Sequence, residues 1–312
     1  MRTPIISPNR KVSPAAIRPV PVSHGDNMRG ALLMCVSMTF FTLNDTVIKF
    51  VTQELPLYQS VAMRGIVVML GVWLIAWREG GLRLRLPREA RRTMVLRLFG
   101  EVGSTVLFLN ALHHMAIGDL SAIMQSLPLA VTLAAAIFFG EKLGWRRMLA
   151  VLIGMVGVLM ILRPGTSAFT IWSGLGLASV VLVVLRDLTT RVFSREVSST
   201  TIAFYAAAAV TGTALVLSIG EGWRMPTLRQ IGLLILGGGF LTVGYMSAVA
   251  TMRVGEISFV APFRYVSLVV AIFLGLVVFG DWPDLWTWAG AGLIVSAGIY
   301  SIWREGQIRK AA

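Results

Sequence analysis

Apolar residues in this chain gather in runs of about twenty, the length that carries a helix across a bilayer. Ten such runs stand out, at 29–50, 57–77, 94–114, 119–139, 146–163, 169–190, 201–219, 229–251, 256–279 and 286–303. The segments between them are brief and collect arginine, glycine and proline, so neighbouring helices pair as antiparallel hairpins. The predicted fold is an all-α polytopic membrane protein with ten transmembrane helices. The fifth run is short, and charges break the sixth and ninth.

Polar interruptions of these runs recur at fixed distances. Asp45 and Lys49 stand four apart near the end of the first run, and Asp187 and Arg191 stand four apart 142 residues later. On a helix that spacing puts two charges on one face, close enough to pair. Further on, Met115-x-x-Gly118-Asp119-Leu120-Ser121 returns as Met252-x-x-Gly255-Glu256-Ile257-Ser258. Trp145, Leu152, Gly157, Ile161 and Arg163 return as Trp286, Leu293, Gly298, Ile302 and Arg304. The chain thus reads as two five-helix repeats at 29–165 and 166–303, flanked by a proline-rich basic tail at 1–28 and a short tail at 304–312. Five is odd, so the second repeat enters the membrane inverted. Inverted repeats supply two halves able to exchange inward-open and outward-open shapes around a central site. Gly118 to Gly140 spans 22 residues but Gly255 to Gly280 spans 25, so the fourth and ninth helices cannot match throughout.

Composition removes the soluble alternatives. The chain is 56% hydrophobic and 14% charged, with a mean hydropathy of +0.76, against about a quarter charged in an ordinary soluble domain. The net charge of +13 is concentrated in short inter-helix segments, which fits cytoplasmic loops beside anionic lipid and not a nucleic-acid surface. Placing the N-terminus in the cytoplasm leaves Arg163, Arg224 and Arg229 as the external cations and assigns the loop from Arg78 to Arg92, with Arg97 at its border, to the inside. Both termini are then cytoplasmic. Cys35 has no intrachain partner and reads as a packing residue.

The charges inside the runs are Asp45, Lys49, Arg64, Glu101, Arg186, Asp187 and Arg264. Each costs roughly 2.5–3.5 kcal/mol at a helix centre unless paired or hydrated. They are either static interhelical bridges or parts of a substrate path. Topology sets Asp45/Lys49 and Asp187/Arg191 near opposite mouths, where alternating gates belong, with Arg64 in reach of Asp45 and Arg264 in reach of Asp187. Glu101 stands apart from other charges in its run; such a carboxyl is either bound to arginine or kept neutral by burial, as proton coupling requires. Asn44, Gln125, Tyr245 and Tyr265 can orient a ligand, and Pro128 and Pro262 can break the fourth and ninth helices. The glycines Gly154, Gly157, Gly237–Gly239, Gly290 and Gly292 suit close helix packing. Adjacent His113 and His114 do not make a metal site, and the chain has no phosphate-binding glycine loop with lysine. No cofactor, metal or enzymatic activity is expected.

Gly140-Glu141 closing the fourth run and Ile161-Leu162-Arg163-Pro164-Gly165 closing the fifth, in a two-repeat frame, resemble the drug/metabolite transporter superfamily, EamA-type branch. Within it, Phe41-Thr42-Leu43-Asn44-Asp45-Thr46, Leu185-Arg186-Asp187-Leu188 and Ala261-Pro262-Phe263-Arg264-Tyr265 are similar to the bacterial riboflavin-uptake branch. The resemblance implies a transporter of the bacterial inner membrane working without ATP hydrolysis, with riboflavin moved inward as first cargo and export or exchange of amino acids or other metabolites as the alternative. Its partners are then the lipid bilayer, the small-molecule cargo and, in a homodimer, a second copy of the chain.

Overall fold

The computed structural model describes residues 24–311 except 79, 83, 140–144, 164–169, 193–196 and 255–260. The tail read at 1–28 therefore lies outside the described residues as far as 23, and from His24 onward the chain is helical. In order the helices are α1 (His24–Val51), α2 (Leu57–Arg78), α3 (Arg88–His114), α4 (Ile117–Met124), α5 (Leu127–Phe139), α6 (Trp145–Leu162), α7 (Ile171–Val192), α8 (Ser199–Ser218) and α9 (Leu228–Val254). A 3-10 turn at Ala261–Tyr265 leads into α10 (Val266–Leu274) and a π turn at Gly275–Phe279, and α11 (Leu285–Ala311) follows. The described residues are helical or loop, without strands.

Six helices are long and apolar enough to cross a membrane, and four shorter apolar helices lie at 117–131, 148–162, 263–279 and 285–300. Together they account for the ten runs of the sequence. The two broken spans are the fourth and ninth. Between α4 and α5 the Gln125 N–H turns back on the carbonyls of Ser121 and Ala122, and Pro128 sits in the first turn of α5, where its missing N–H costs nothing. Pro262 occupies the 3-10 turn that opens the ninth span. The π turn at its far end, closed by Gly280 at φ 72°, is where the ninth span departs from the fourth.

The packing repeats under exchange of halves. Helix α1 lies against α9 as α7 lies against α3; α2 flanks α9 as α8 flanks α3; and α2 with α8, like α6 with α11, are each paired across the centre. This is the arrangement of two inverted five-helix repeats. The α6–α11 crossing is close because Gly157 and Gly290 face each other: a Cβ on either meets the other's carbonyl oxygen at 2.6–2.7 Å. Gly292 and Gly239 face open space instead.

Polarity is distributed as hydrocarbon requires. Ser37, Gln59, Ser60, Ser179 and Ser218 are fully buried, while Ile137, Phe138, Val181, Val216, Val269 and Phe273 point outward. Exposed Trp77, Trp145, Trp223, Trp282 and Trp286 stand near helix ends, the level at which indole prefers a membrane interface.

Candidate functional site

Two polar clusters lie where the repeats meet. The first joins α1 to α2. Arg64, buried on α2, donates through Nη1 to Asn44 Oδ1 at 3.0 Å, and Asn44 Nδ2 donates to Asp45 Oδ1 at 3.0 Å. The arginine and the aspartate are thus linked through the amide between them, and Arg64 Nε has no partner. Close approach of α9 seals this cluster, since Gly237 faces Val47 and Gly238 lies over Val67 and the Arg64 carbonyl.

The predicted Asp45–Lys49 pair does not form. Lys49 Nζ donates to the carbonyls of Leu112, at 3.1 Å, and Met115, and lies 5.3 Å from the centre of the Phe279 ring. The last carbonyls of a helix have no partner within it and carry partial negative charge. Lysine's long stem reaches the end of α3, which draws its ammonium away from Asp45.

The second cluster joins α3, α7 and α9. Glu101 meets Arg97 at 3.1 Å and Arg186 at 3.5 Å, and Arg186 meets Asp187 at 3.0 Å. Arg97 also donates to Thr190 Oγ1 at 3.1 Å and to the Tyr245 hydroxyl at 3.3 Å. The Tyr245 ring makes an edge contact with Phe41 of α1. Glycine allows the approach: a Cβ at Gly100 meets the Arg186 N and Leu182 O at 3.0 Å. Glu101 is therefore not alone in the membrane but bound between two arginines. Arg97, read as lying at the border of the inside loop, is 4% exposed. The physical reason is that α3 starts at Arg88 and not at 94, which sets Arg97 about 14 Å along the helix at 1.5 Å per residue. The signal that finds it is the same four-residue spacing to Glu101 that drew attention to Asp45 and Lys49. Asp187 pairs with its neighbour Arg186; the Arg191 side chain lies outside the described residues.

The remaining candidates bracket the broken spans. Gln125 Nε2 donates to Ser267 Oγ at 2.7 Å, and that hydroxyl donates to the Arg264 carbonyl at 2.9 Å, which ties the break in the fourth span to the start of the ninth. Arg264 lies within electrostatic reach of Asp187 and Arg186. Tyr265 is buried with its hydroxyl against Gly298 of α11 and without a partner. The structure brings Glu101, Arg186, Asp187, Tyr245 and Arg264 into one neighbourhood and places Asn44, Asp45 and Arg64 in another.

Missed by spacing was a clasp between the α1–α2 turn and the α8–α9 turn. The Glu221 carboxylate accepts from the N–H groups of Tyr58 and Gln59 at the start of α2. Gln59 both donates to and accepts from the Arg224 backbone, and Gln230 donates to Glu54 at 2.7 Å.

A helical bundle of inverted repeats with buried charge between its halves is the architecture of a membrane transporter. The EamA-like transporter family model matches the chain twice, over 28–163 and 170–303, and the chain belongs to that family. It is 28% identical over 287 residues to the riboflavin transporter of Vibrio cholerae, covering 91% of this chain and 96% of that one. It is 27% identical to the pseudopaline exporter CntI of Pseudomonas aeruginosa, over 88% and 96% of the two chains. With the S-adenosylmethionine uptake transporter of Rickettsia prowazekii it shares 21% over 89% and 94%. A protein of known crystal structure shares the fold at a TM-score of 0.64 and 17% identity, over 88% of this chain and 97% of that one.

Proposed function

We propose that the protein moves a small metabolite across the bacterial inner membrane by alternating access, as a secondary transporter and not an enzyme, and that riboflavin taken inward is its cargo. The observation that carries the reading is the pair of buried ionic clusters at the meeting of the repeats. Charge in that position is costly and is retained where a path for solute must open and close. Asn44 and Asp45 sit in the last third of α1, with Arg64 reaching them from α2, and Arg186–Asp187 sit in the last third of α7. Helices α1 and α7 are repeat mates running in opposite senses, so the clusters serve opposite mouths. The riboflavin assignment rests on likeness to the Vibrio cholerae protein along nearly the whole chain.

The test is growth. The gene should rescue a riboflavin-requiring bacterium that lacks an importer at low vitamin, and labelled riboflavin should be recovered unaltered inside the cells. Asp45→Asn and Asp187→Asn should each lower the uptake rate at unchanged membrane levels. Lack of rescue removes riboflavin as cargo; chemical change of the label removes transport. Orientation is checked separately by reporter fusions, which should read cytoplasmic after Arg92 and Arg147 and external after Thr166 and Trp223.

A further inference from the structure

The two clusters differ in charge. In the first, Asp45 and Arg64 balance. In the second, the described residues set two carboxylates, Glu101 and Asp187, against three guanidinium groups, Arg97, Arg186 and Arg264. The asymmetry begins with one exchange: the position of Asn44 in the first repeat is Arg186 in the second.

Two of the three arginines have unused donors. Arg97 spends Nε on Thr190 and Nη2 on Tyr245 and Glu101, and its Nη1 is buried without a partner. The Arg264 guanidinium makes no hydrogen bond or ion pair among the described residues, although its backbone carbonyl is engaged by Ser267. The buried Arg97 donor left open is costly, and Arg264, half-buried, holds its guanidinium free to take a partner. Guanidinium forks match the geometry of carboxylate and phosphate.

We propose that this cluster is an anion site: a carboxylate or phosphate group of the transported molecule docks on Arg264, drawn by the excess of guanidinium over carboxylate among the described residues. The inference rests on the transport reading but not on riboflavin, and a tighter acidic ligand in the comparison below would replace riboflavin as the cargo.

Purified protein in detergent tests it. Two ligand pairs are compared by binding: flavin mononucleotide with riboflavin, which differ by a phosphate, and S-adenosylmethionine with its decarboxylated form. The acidic member of at least one pair should bind at least ten times more tightly, and Arg264→Gln should erase that advantage while Arg264→Lys keeps part of it. The pair that discriminates tells phosphate from carboxylate. Without ligand, Arg264→Gln should raise Tm by about 2 °C or more, because it removes one guanidinium from a cluster whose described residues hold three against two carboxylates. Equal affinity within both pairs, counting no binding as equal, overturns the proposal. So does a lowered Tm for Arg264→Gln, which would make Arg264 an internal ion-pair partner. Failed growth rescue on riboflavin leaves both readouts standing, and their failure leaves rescue standing.

Discussion

Glu101 holds two arginines in place, so its charge matters more than its shape. Glu101→Gln keeps the volume but leaves Arg97 and Arg186 facing one another across an amide. Breaking one member out of a buried ionic group costs about 3–5 kcal/mol, and the variant should unfold at clearly lower temperature in detergent. The double variant Arg97→Met with Glu101→Met should recover part of that loss, because it removes a partnered charge with its partner. A Glu101→Gln protein as stable as the parent would mean that the arginines find other counter-ions. At this scale the sequence discloses which residues are charged in the wrong solvent but not whom they meet. Lys49 shows why: its partners are the carbonyls of Leu112 and Met115, and every helix ends in such groups without any mark in its side chains. Arg97 was within reach of the spacing rule, and only the early start of α3 hid its depth.

Among the elements, the ten runs and the two breaks were legible, because a run of apolar residues and a proline each act on the local backbone. The start of α3 was not, since its first turn, Arg88-Glu89-Ala90-Arg91-Arg92, is charged and reads as loop by hydropathy. Close crossings were half legible: glycine permits an approach without requiring one, and Gly157 and Gly290 use it while Gly212 and Gly292 face open space. Gly157→Val should force α6 from α11 and cost about 1–3 kcal/mol, as overpacking does. Gly212→Ala should be neutral or slightly stabilising, by removing backbone freedom from a helix. Thermal unfolding of the two variants side by side checks the assignment, and equal Tm values would show that the α6–α11 crossing yields to an added side chain.

For the whole molecule, inverted symmetry was visible in the constant offset of the charged motifs, whereas the clasp between the two turns was not. Its partners lie 162–176 residues apart, and nothing local in either turn announces the other. Yet the clasp fastens the mouth at one end of the bundle. Residues 52–59 and 219–230 stand at one end of the bundle, held by Glu221 on the α2 N-terminus and by Gln230 on Glu54. At the other end the segment between α2 and α3 is tied to α8 by a hydrogen bond from the Tyr205 hydroxyl to the Leu84 carbonyl. If transport requires this mouth to open, fastening it should stop turnover. With Cys35→Ala as background, Glu54→Cys and Gln230→Cys joined by a short reducible thiol cross-linker should reduce uptake to the level of cells without the gene. Reductant should restore it. Either cysteine alone, treated in the same way, should transport normally. Uptake that continues through the cross-linked protein would mean that these turns ride together as one body and that the moving parts lie elsewhere in the bundle.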